Sequence, residues 1–404
     1  NVGMFIVLLQ SIKWNNSAAQ IVRRGEFIEL MLLTLFGMFL MVSARHFLVF
    51  IIGLETASLP LAALVAFDKK EYESHEAAVK YIFTAVFSSA IYMLGLSFVY
   101  AMSGSLYFGD IAMRVTGSEG SFLIYVALAF VIAGIGFKIS MVPFHLWTAD
   151  VYQGAPTSVT SYLSVVSKGA GAFAALIILT QVFGAVYSQV WEWMLFILIV
   201  LTITVGNLFA IRQNNLKRFL AFSSISQAGY IMLGVAADAS VGAAALSYYV
   251  LVYIFSNLAA FGVIQAIENA TGKVEISDYN GLYKTNPKLS FTMMLAMFSL
   301  GGIPPFAGFF SKFFIFSAAL EQGTVAMYVL VFIALLNTIV SLYYYLLVVK
   351  AMFITPNDNP IERIKSHWSE RVGMVVCVAG IILVGLVSAI YTFLNHASDA
   401  SQMF

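Results

Sequence analysis

Apolar runs, each of roughly 20 residues, follow one another along most of this chain, and a helix of that length crosses the hydrocarbon core of a bilayer. Hydrophobic residues make up 61% of the 404 residues and charged residues only 10%. A soluble domain has about 25% charged residues. The runs therefore predict an all-α polytopic membrane protein.

Charges, Gly/Pro clusters and polar loops mark the ends of the runs. They predict eleven complete spans after a partial helix near residues 2 to 12, which lacks the features of a signal peptide. The complete spans are predicted at 26 to 45, 46 to 66, 78 to 102, 121 to 147, 155 to 186, 191 to 211, 217 to 237, 242 to 267, 289 to 320, 324 to 352 and 371 to 394.

Basic residues are distributed unequally between alternate loops. Loops on one side of the predicted spans contain fifteen lysines and arginines, and loops on the other side contain only Arg45 and Arg114. Cytoplasmic loops of membrane proteins carry such an excess. The asymmetry supports the number of spans and predicts that the fifteen face the cytoplasm, or the matrix of an organelle, with the C-terminus opposite.

Four ionisable residues lie well away from the ends of the predicted spans, within apolar stretches, namely Glu55, Lys138, Lys168 and Lys312. A charge near the centre of a bilayer costs about 2.5–3.5 kcal/mol, so such residues indicate an ion or proton path. For Glu55 the alternative is a structural salt bridge between helices. Lys80 lies at the edge of its span, where a lysine can also extend to the membrane surface.

Two of the predicted spans are interrupted by proline. Pro143 interrupts the first, and Pro304 and Pro305 interrupt the second within GGIPPFAGFFSK. Proline removes a backbone donor and clashes with the preceding turn, so both spans should be broken helices. Broken backbone at membrane depth faces protein or a water-filled cavity. Two such breaks, each near a lysine, indicate a repeated transporter-like unit, and a kink with only a packing role is the alternative.

Polar side chains accompany the charged residues. His145 follows Lys138 by seven residues, and Ser164 lies one turn before Lys168. Burial disfavours a charged amine and a nearby carboxylate favours it, so movement of Glu55 relative to a lysine would change how tightly that lysine holds a proton. Hydrogen bonding between helices is an equal alternative for the other polar residues in spans. These are Asn207, Ser223, Ser224, Ser226, Gln227, Asn257 and Asn337.

No redox centre is expected in this chain. Cys377 is the single cysteine, whereas an iron–sulfur cluster needs about four thiolates. Of the five histidines only His145 lies in an apolar setting, so a haem held by two histidines is not expected. The sequence contains neither a phosphate-binding glycine loop nor a dinucleotide fingerprint. Cofactor and metal sites are therefore predicted to be absent, and any redox chemistry would take place in another chain.

Several segments carry the charged residues in a specific order. They are GLETASLPLAAL, EAAVKYIF, GFKISMVPFHLWTADVYQGAPTSVTSYLSVVSK, NLKRFLAFSSISQAGY, GGIPPFAGFFSKFF and SLYYYLLVV. In these segments the sequence resembles the antiporter-like subunits of respiratory complex I, a proton-pumping NADH:quinone oxidoreductase. The resemblance covers most of residues 55 to 350. The most specific part of the resemblance is the segment FHLWTADVYQGAP, because the other antiporter-like subunits of the complex usually have a different sequence there.

The resemblance implies an antiporter-like fold of fourteen helices, with two inverted five-helix repeats and a broken helix in each. It assigns residues 1–25 to a partial N-terminal helix and loop, 26–186 and 191–353 to the two repeats, and 354–404 to a loop and C-terminal helix. It implies proton transfer from Glu55 and Lys138 through Lys168 to Lys312. The residues implicated in proton transfer are Glu55, Lys80, Lys138, His145, Lys168, Lys217 and Lys312.

The sequence departs from the family pattern in two places. The family has two helices before the partial one, so this sequence is interpreted as a truncated or shortened form. Some relatives have a titratable histidine where this chain has Gln227. Because a glutamine cannot carry a proton, water would have to bridge that point.

The predicted function is that of a proton-translocating membrane subunit of an NADH:quinone oxidoreductase. NAD, FMN, iron–sulfur clusters and quinone are expected in partner subunits. The expected partners are neighbouring antiporter-like and small membrane subunits and lipid, without nucleic acid. The expected location is the bacterial inner membrane, with an organelle inner membrane as the alternative. A subunit of a cation/proton antiporter or of a membrane-bound hydrogenase-type complex, and a structural scaffold with inert ion pairs, are the alternative functions.

Overall fold

The computed structural model describes residues 1–18, 20–115, 122–184, 189–237, 239–387 and 389–401, and its regular elements there are helices. The α-helices, in chain order, are α1 (Val2–Asn15), α2 (Arg24–Ser43), α3 (Phe47–Val65), α4 (Tyr72–Ser103), α5 (Phe108–Val115), α6 (Phe122–Ile139), α7 (Leu146–Gly154), α8 (Thr157–Tyr162), α9 (Lys168–Ile177), α10 (Gln189–Ala210), α11 (Leu216–Ala236), α12 (Ala239–Thr271), α13 (Pro287–Gly301), α14 (Ala307–Glu321), α15 (Val325–Phe353), α16 (Trp368–Leu386) and α17 (Ala389–Ser401).

Within the described ranges, ten helical segments are long and apolar enough to cross a membrane. They correspond to ten of the eleven predicted spans and confirm the all-α polytopic fold. The remaining predicted span, 289 to 320, is divided between α13 and α14, each of 15 residues. The partial helix predicted near residues 2 to 12 is α1.

The structure differs from the prediction at the last span, 371 to 394. The helix begins at Trp368, where His367 and Glu370 form a capping box, and α16 ends at Leu386. The chain then forms α17, whose Tyr391 ring stacks on Phe314 with ring centroids 3.7 Å apart. This aromatic packing involves Phe314, which is distant in sequence. The apolar run alone therefore did not predict that α16 ends at Leu386.

The chain forms two compact units. The smaller unit comprises residues 25–156 and 167–202, and the larger unit comprises residues 1–24, 157–166 and 203–404. In the smaller unit, α4 packs along α6 and α7, and α6 packs against α9. In the larger unit, α12 contacts α13, α14, α16 and α17. The repeats assigned to 26–186 and 191–353 stay a prediction.

Helix α11 is deeply buried in the larger unit. It begins after Asn215, whose side chain accepts hydrogen bonds from the N–H groups of Lys217 and Arg218 at 3.0 and 3.1 Å. Every α11 residue except Arg218 is buried. Because buried polar groups need hydrogen-bond partners, the side chains of Ser223 and Gln227 are hydrogen-bonded to a neighbouring helix through Tyr345.

Candidate proton-transfer sites

Helix α3 presents Glu55 and Ser58 on one face, because residues three apart in a helix are neighbours. The hydroxyl of Ser58 is buried and accepts a hydrogen bond from Nζ of Lys138 at 3.0 Å. Glu55 is close enough to Lys138 for an electrostatic interaction, and its Oε1 has no hydrogen-bond partner among the described residues. Helix α3 therefore places a hydroxyl in contact with the amine of Lys138 and a carboxylate within its electrostatic range.

Lys138 lies in the last turn of α6, directly before the first break. Ser140 has a φ of 69°, and the N–H of Met141 donates to the carbonyl of Gly136 at 2.8 Å. This is the hydrogen bond of a Schellman motif, and Pro143 prevents the helix from continuing. The last carbonyls of a helix carry partial negative charge. Lys138 therefore stands where a helix end favours a cation.

Lys168 begins α9, immediately after a π-helical turn formed by Leu163–Ser167, and is buried. Such π-turns occur often at functional sites. A Cβ atom added at Gly171, one turn later, would lie 3.3 Å from Cγ of Lys138, so α9 and α6 approach closely. The smaller unit thus contains Glu55, Lys138 and Lys168, the last two on packed helices. Beside Lys138 a small cavity is lined by Met41, Phe50, Leu54, Tyr92, Gly134, Ile135, Gly171 and Ala174.

Lys80 and His145 belong to the smaller unit and are only partly buried. The amine of Lys80 forms ion pairs with Glu76 and Asp150, both at 2.7 Å, and so links α4 to α7. The Lys80 side chain is 42% exposed, and pairs of this kind contribute only about 0–1 kcal/mol. His145 precedes α7, and its Nδ1 is buried without a hydrogen-bond partner within the described ranges.

The second break positions Lys312 in a related way. Helix α13 ends at Gly301, Gly302 has a φ of 84°, and the same type of hydrogen bond closes the helix. The amine of Lys312, on α14, donates to the carbonyl oxygen of Gly301 at 3.2 Å. Lys138 and Lys312 therefore both lie at the carboxyl end of the half-helix that precedes a break. Pro304 and Pro305 lie in this second break.

Helices α13 and α14 touch through their backbones. The N–H of Gly308 donates to Oγ of Ser299 at 3.2 Å, and a Cβ atom at position 308 would overlap the carbonyl oxygen of Ser299. Lys312 follows Gly308 by one turn of α14. The close approach at Gly308 thus fixes the distance from Lys312 to the end of α13.

Gln227 is surrounded by tyrosines from other helices of the larger unit. Its Nε2 donates to the hydroxyl of Tyr345 at 3.1 Å, and its Oε1 accepts a hydrogen bond from Tyr249. The Tyr345 hydroxyl is also 2.5 Å from Oγ of Ser223. Gln227 and Lys312 line the same cavity. The sequence indicated Ser223 and Gln227 but not the tyrosines, because an aromatic residue in an apolar span gives no separate signal.

Lys217 lies in the first turn of α11 and pairs with Glu268 at 3.3 Å. Glu268 also accepts a hydrogen bond from Thr157. Lys217 is therefore paired with a carboxylate of α12 that is itself hydrogen-bonded to α8.

The asparagines within spans bond across helices. Asn207 donates to Oδ1 of Asn337 at 3.1 Å, and Asn257 donates to Ser164. Contact between helices accounts for these residues. In the described part of the chain, no three His, Cys, Asp or Glu side chains lie together in a way that could hold a metal ion.

Comparisons with known proteins place the chain in a family. Residues 44–338 match the family described as NADH:quinone oxidoreductase/Mrp antiporter, transmembrane. The chain is 57% identical over 398 residues to NADH-quinone oxidoreductase subunit N of Phocaeicola vulgatus. The aligned region covers 98% of this chain and 83% of that protein.

Two solved structures resemble the present one. A chain of respiratory complex I from Thermus thermophilus, with bound aureothin, is 33% identical with a TM-score of 0.79, over 95% of this chain and 84% of that one. A chain of the Mrp complex from Dietzia sp. shares the fold, with a TM-score of 0.86 at 21% identity over 99% of this chain and 81% of that one. The chain therefore belongs to the NADH:quinone oxidoreductase/Mrp antiporter family of membrane proteins, and within it to the subunit N type.

Proposed function

We infer that this chain is a proton-translocating subunit of an NADH:quinone oxidoreductase in the bacterial plasma membrane. Its 57% sequence identity to a subunit N, over almost the whole length of the chain, supports this function. Its partners are other membrane subunits of the complex. NAD, FMN, iron–sulfur clusters and quinone are proposed to bind in partner subunits, where the redox chemistry takes place.

The observation that carries the proposal for the site is the environment of Lys138. The amine is buried, bonded to Ser58 and under the electrostatic influence of Glu55. A carboxylate stabilises the protonated form of an amine more strongly when it is closer. A shift of α3 relative to α6 would therefore load or unload Lys138. Redox chemistry in a partner subunit can drive a conformational change that alters the distance between Glu55 and Lys138.

The remaining sequence-predicted residues receive proposed roles by position. Lys168, buried on the helix that packs beside Lys138, is proposed to accept the proton from it. The onward step to Lys312 is proposed from the family resemblance. Lys80 and Lys217, each ion-paired with acidic residues near a helix start, and His145 are proposed to exchange protons toward the membrane surfaces.

Replacing Glu55 with glutamine tests this proposal. The amide keeps the shape of the carboxylate but cannot change the protonation of Lys138 in the same way, so quinone-linked proton pumping by the assembled complex should fall severalfold. The measurement is proton uptake into membrane vesicles, normalised to the rate of quinone reduction. The matched control is Lys70→Ala, because Lys70 is exposed between α3 and α4. Pumping by Glu55→Gln at the control rate would remove Glu55 from the mechanism.

The shared fold with the Mrp complex favours one second candidate, a subunit of a cation/proton antiporter. Purification of the intact assembly separates the two functions. Flavin and iron–sulfur partners indicate the oxidoreductase, whereas a purely membrane-embedded set of partners with sodium-dependent proton flux indicates the antiporter. An inert scaffold would leave transport unchanged, and impair only assembly, when the buried charges are neutralised.

A further inference from the structure

Lys138 and Lys312 differ in what compensates their charge. Lys138 has Glu55 nearby. Among the described residues, neither amine has a carboxylate oxygen within 4.0 Å, unlike Lys80 and Lys217. Glu55 nevertheless acts electrostatically on Lys138, whereas no acidic residue in the described part of the chain acts in this way on Lys312. A buried ammonium without a carboxylate needs another source of negative potential. The side chains that share its cavity are neutral, namely Gln227, Tyr249, Val252, Tyr253, Ser256, Ser299, Leu300 and Ser311.

Two groups of the described residues can compensate the charge of the Lys312 amine. One is the carbonyl oxygen of Gly301, at the negative end of α13. The other is the aromatic ring of Tyr230, whose centroid is 5.2 Å from Nζ. A cation within about 6 Å of a ring centroid is attracted to the negative face of the ring. The ring attracts the ammonium far more than the neutral amine, so it favours the protonated form of Lys312.

Contacts unrelated to Lys312 fix the ring of Tyr230. Its hydroxyl donates to the carbonyl of Ala334 at 3.3 Å and accepts a hydrogen bond from Oγ1 of Thr338 at 3.2 Å. The ring also packs against Phe316, with centroids 6.1 Å apart. Tyr230 is completely buried. Helix α15 therefore holds the ring in place whether or not Lys312 carries a proton.

We propose that Tyr230 is a positioning residue for proton transfer, whose ring face stabilises the protonated form of Lys312 in place of a carboxylate. The inference rests on the proposed function of Lys312. An aromatic ring suits this purpose because it attracts the charged form without competing for the proton. A carboxylate at the same position would hold the proton more tightly and would itself be costly to bury.

Substitutions at position 230 in the assembled complex test the inference. Tyr230→Phe keeps the ring face and loses only the hydroxyl, so proton pumping should stay close to that of the wild type. Tyr230→Leu removes the ring face and should reduce pumping about fivefold. Phenylalanine with one, two and three ring fluorines, introduced at position 230, retains the shape while progressively weakening the negative face. Pumping should therefore fall stepwise along the fluorinated series.

The fluorinated series separates this electrostatic role from a structural one, even if Tyr230→Leu fails to assemble. If Tyr230 acted only through its hydroxyl, Tyr230→Phe would lose activity and further fluorination would change nothing. The same series at Tyr248 is the control, because its buried ring packs against Phe314 and Tyr391, and its hydroxyl donates to the carbonyl of Val384. It should leave pumping constant.

Lys312→Met distinguishes failure of this inference from failure of the proposed function. If Lys312→Met abolishes pumping and fluorination at position 230 has no effect, the role of Tyr230 is refuted and that of Lys312 stands. If Lys312→Met pumps at the wild-type rate, both are refuted. Loss of pumping in Lys312→Met, together with a stepwise decline along the series at position 230 alone, supports both.

Discussion

Replacing Lys138 with methionine should abolish the proton pumping that accompanies quinone reduction in the assembled complex. Methionine is unbranched and adaptable, so it can fill the space of the lysine stem, but its thioether cannot accept a proton. Ser58, on α3, loses only the hydrogen bond that it accepted from the lysine. The subunit should therefore still assemble, and the measurement is proton uptake by vesicles at a matched rate of quinone reduction.

Two companion variants sharpen this prediction. Lys138→Arg retains a positive charge but cannot release its proton at accessible pH, so it should also lose pumping. The double variant Glu55→Gln/Lys138→Met should pump no less than Lys138→Met alone, because Glu55 acts through Lys138 and the two effects are not additive. Wild-type pumping by either Lys138 variant would show that the proton takes a path that avoids this residue.

Replacing Gly308 with alanine should cause the largest loss of stability. The added Cβ atom would overlap the carbonyl oxygen of Ser299, which is backbone and cannot rotate away. Helix α14 must then move from α13, at a cost near the upper end of the about 1–3 kcal/mol typical of overpacking. The same movement would carry Lys312 away from Gly301. We expect less assembled complex in the membrane and less pumping by the complex that remains.

Gly25→Ala is the matched control for Gly308→Ala. No atom lies within 4 Å of a Cβ placed at Gly25, near the start of α2. Alanine there should be neutral or stabilise the helix by up to about 1 kcal/mol. Quantitative immunoblotting of purified membranes and thermal inactivation of quinone reduction measure both variants. Equal amounts and equal thermal midpoints would show that α13 and α14 are not in contact at Gly308.

The sequence revealed those features that follow from local composition. Apolar length identified the spans, and Pro143, Pro304 and Pro305 identified where two of them are interrupted. The energetic cost of ionised groups in lipid identified Glu55, Lys138, Lys168 and Lys312 as candidates. Each of these inferences needs only a residue and its near neighbours in sequence.

Features that depend on distant residues were not accessible in this way. Ser58 and Tyr230 are an ordinary serine and tyrosine in sequence, and only packing brings them to Lys138 and Lys312. The π-helical turn before Lys168 has no signature in SYLSVVSK. Gly308 gains its importance from Ser299 on another helix. Three-dimensional contact, rather than residue type, identifies these residues.

The division of one span between α13 and α14 also bears on how the protein enters the membrane. At about 1.5 Å per residue, a helix of 15 residues is only about 22 Å long, shorter than the roughly 30 Å hydrocarbon core. Neither half can serve as an independent insertion signal, and the connection between them leaves backbone groups that lipid cannot satisfy. The pair should therefore leave the translocon only together with the neighbouring helices α11, α12 and α16 that cover it. The break that positions Lys312 thus makes biogenesis of this segment a cooperative process.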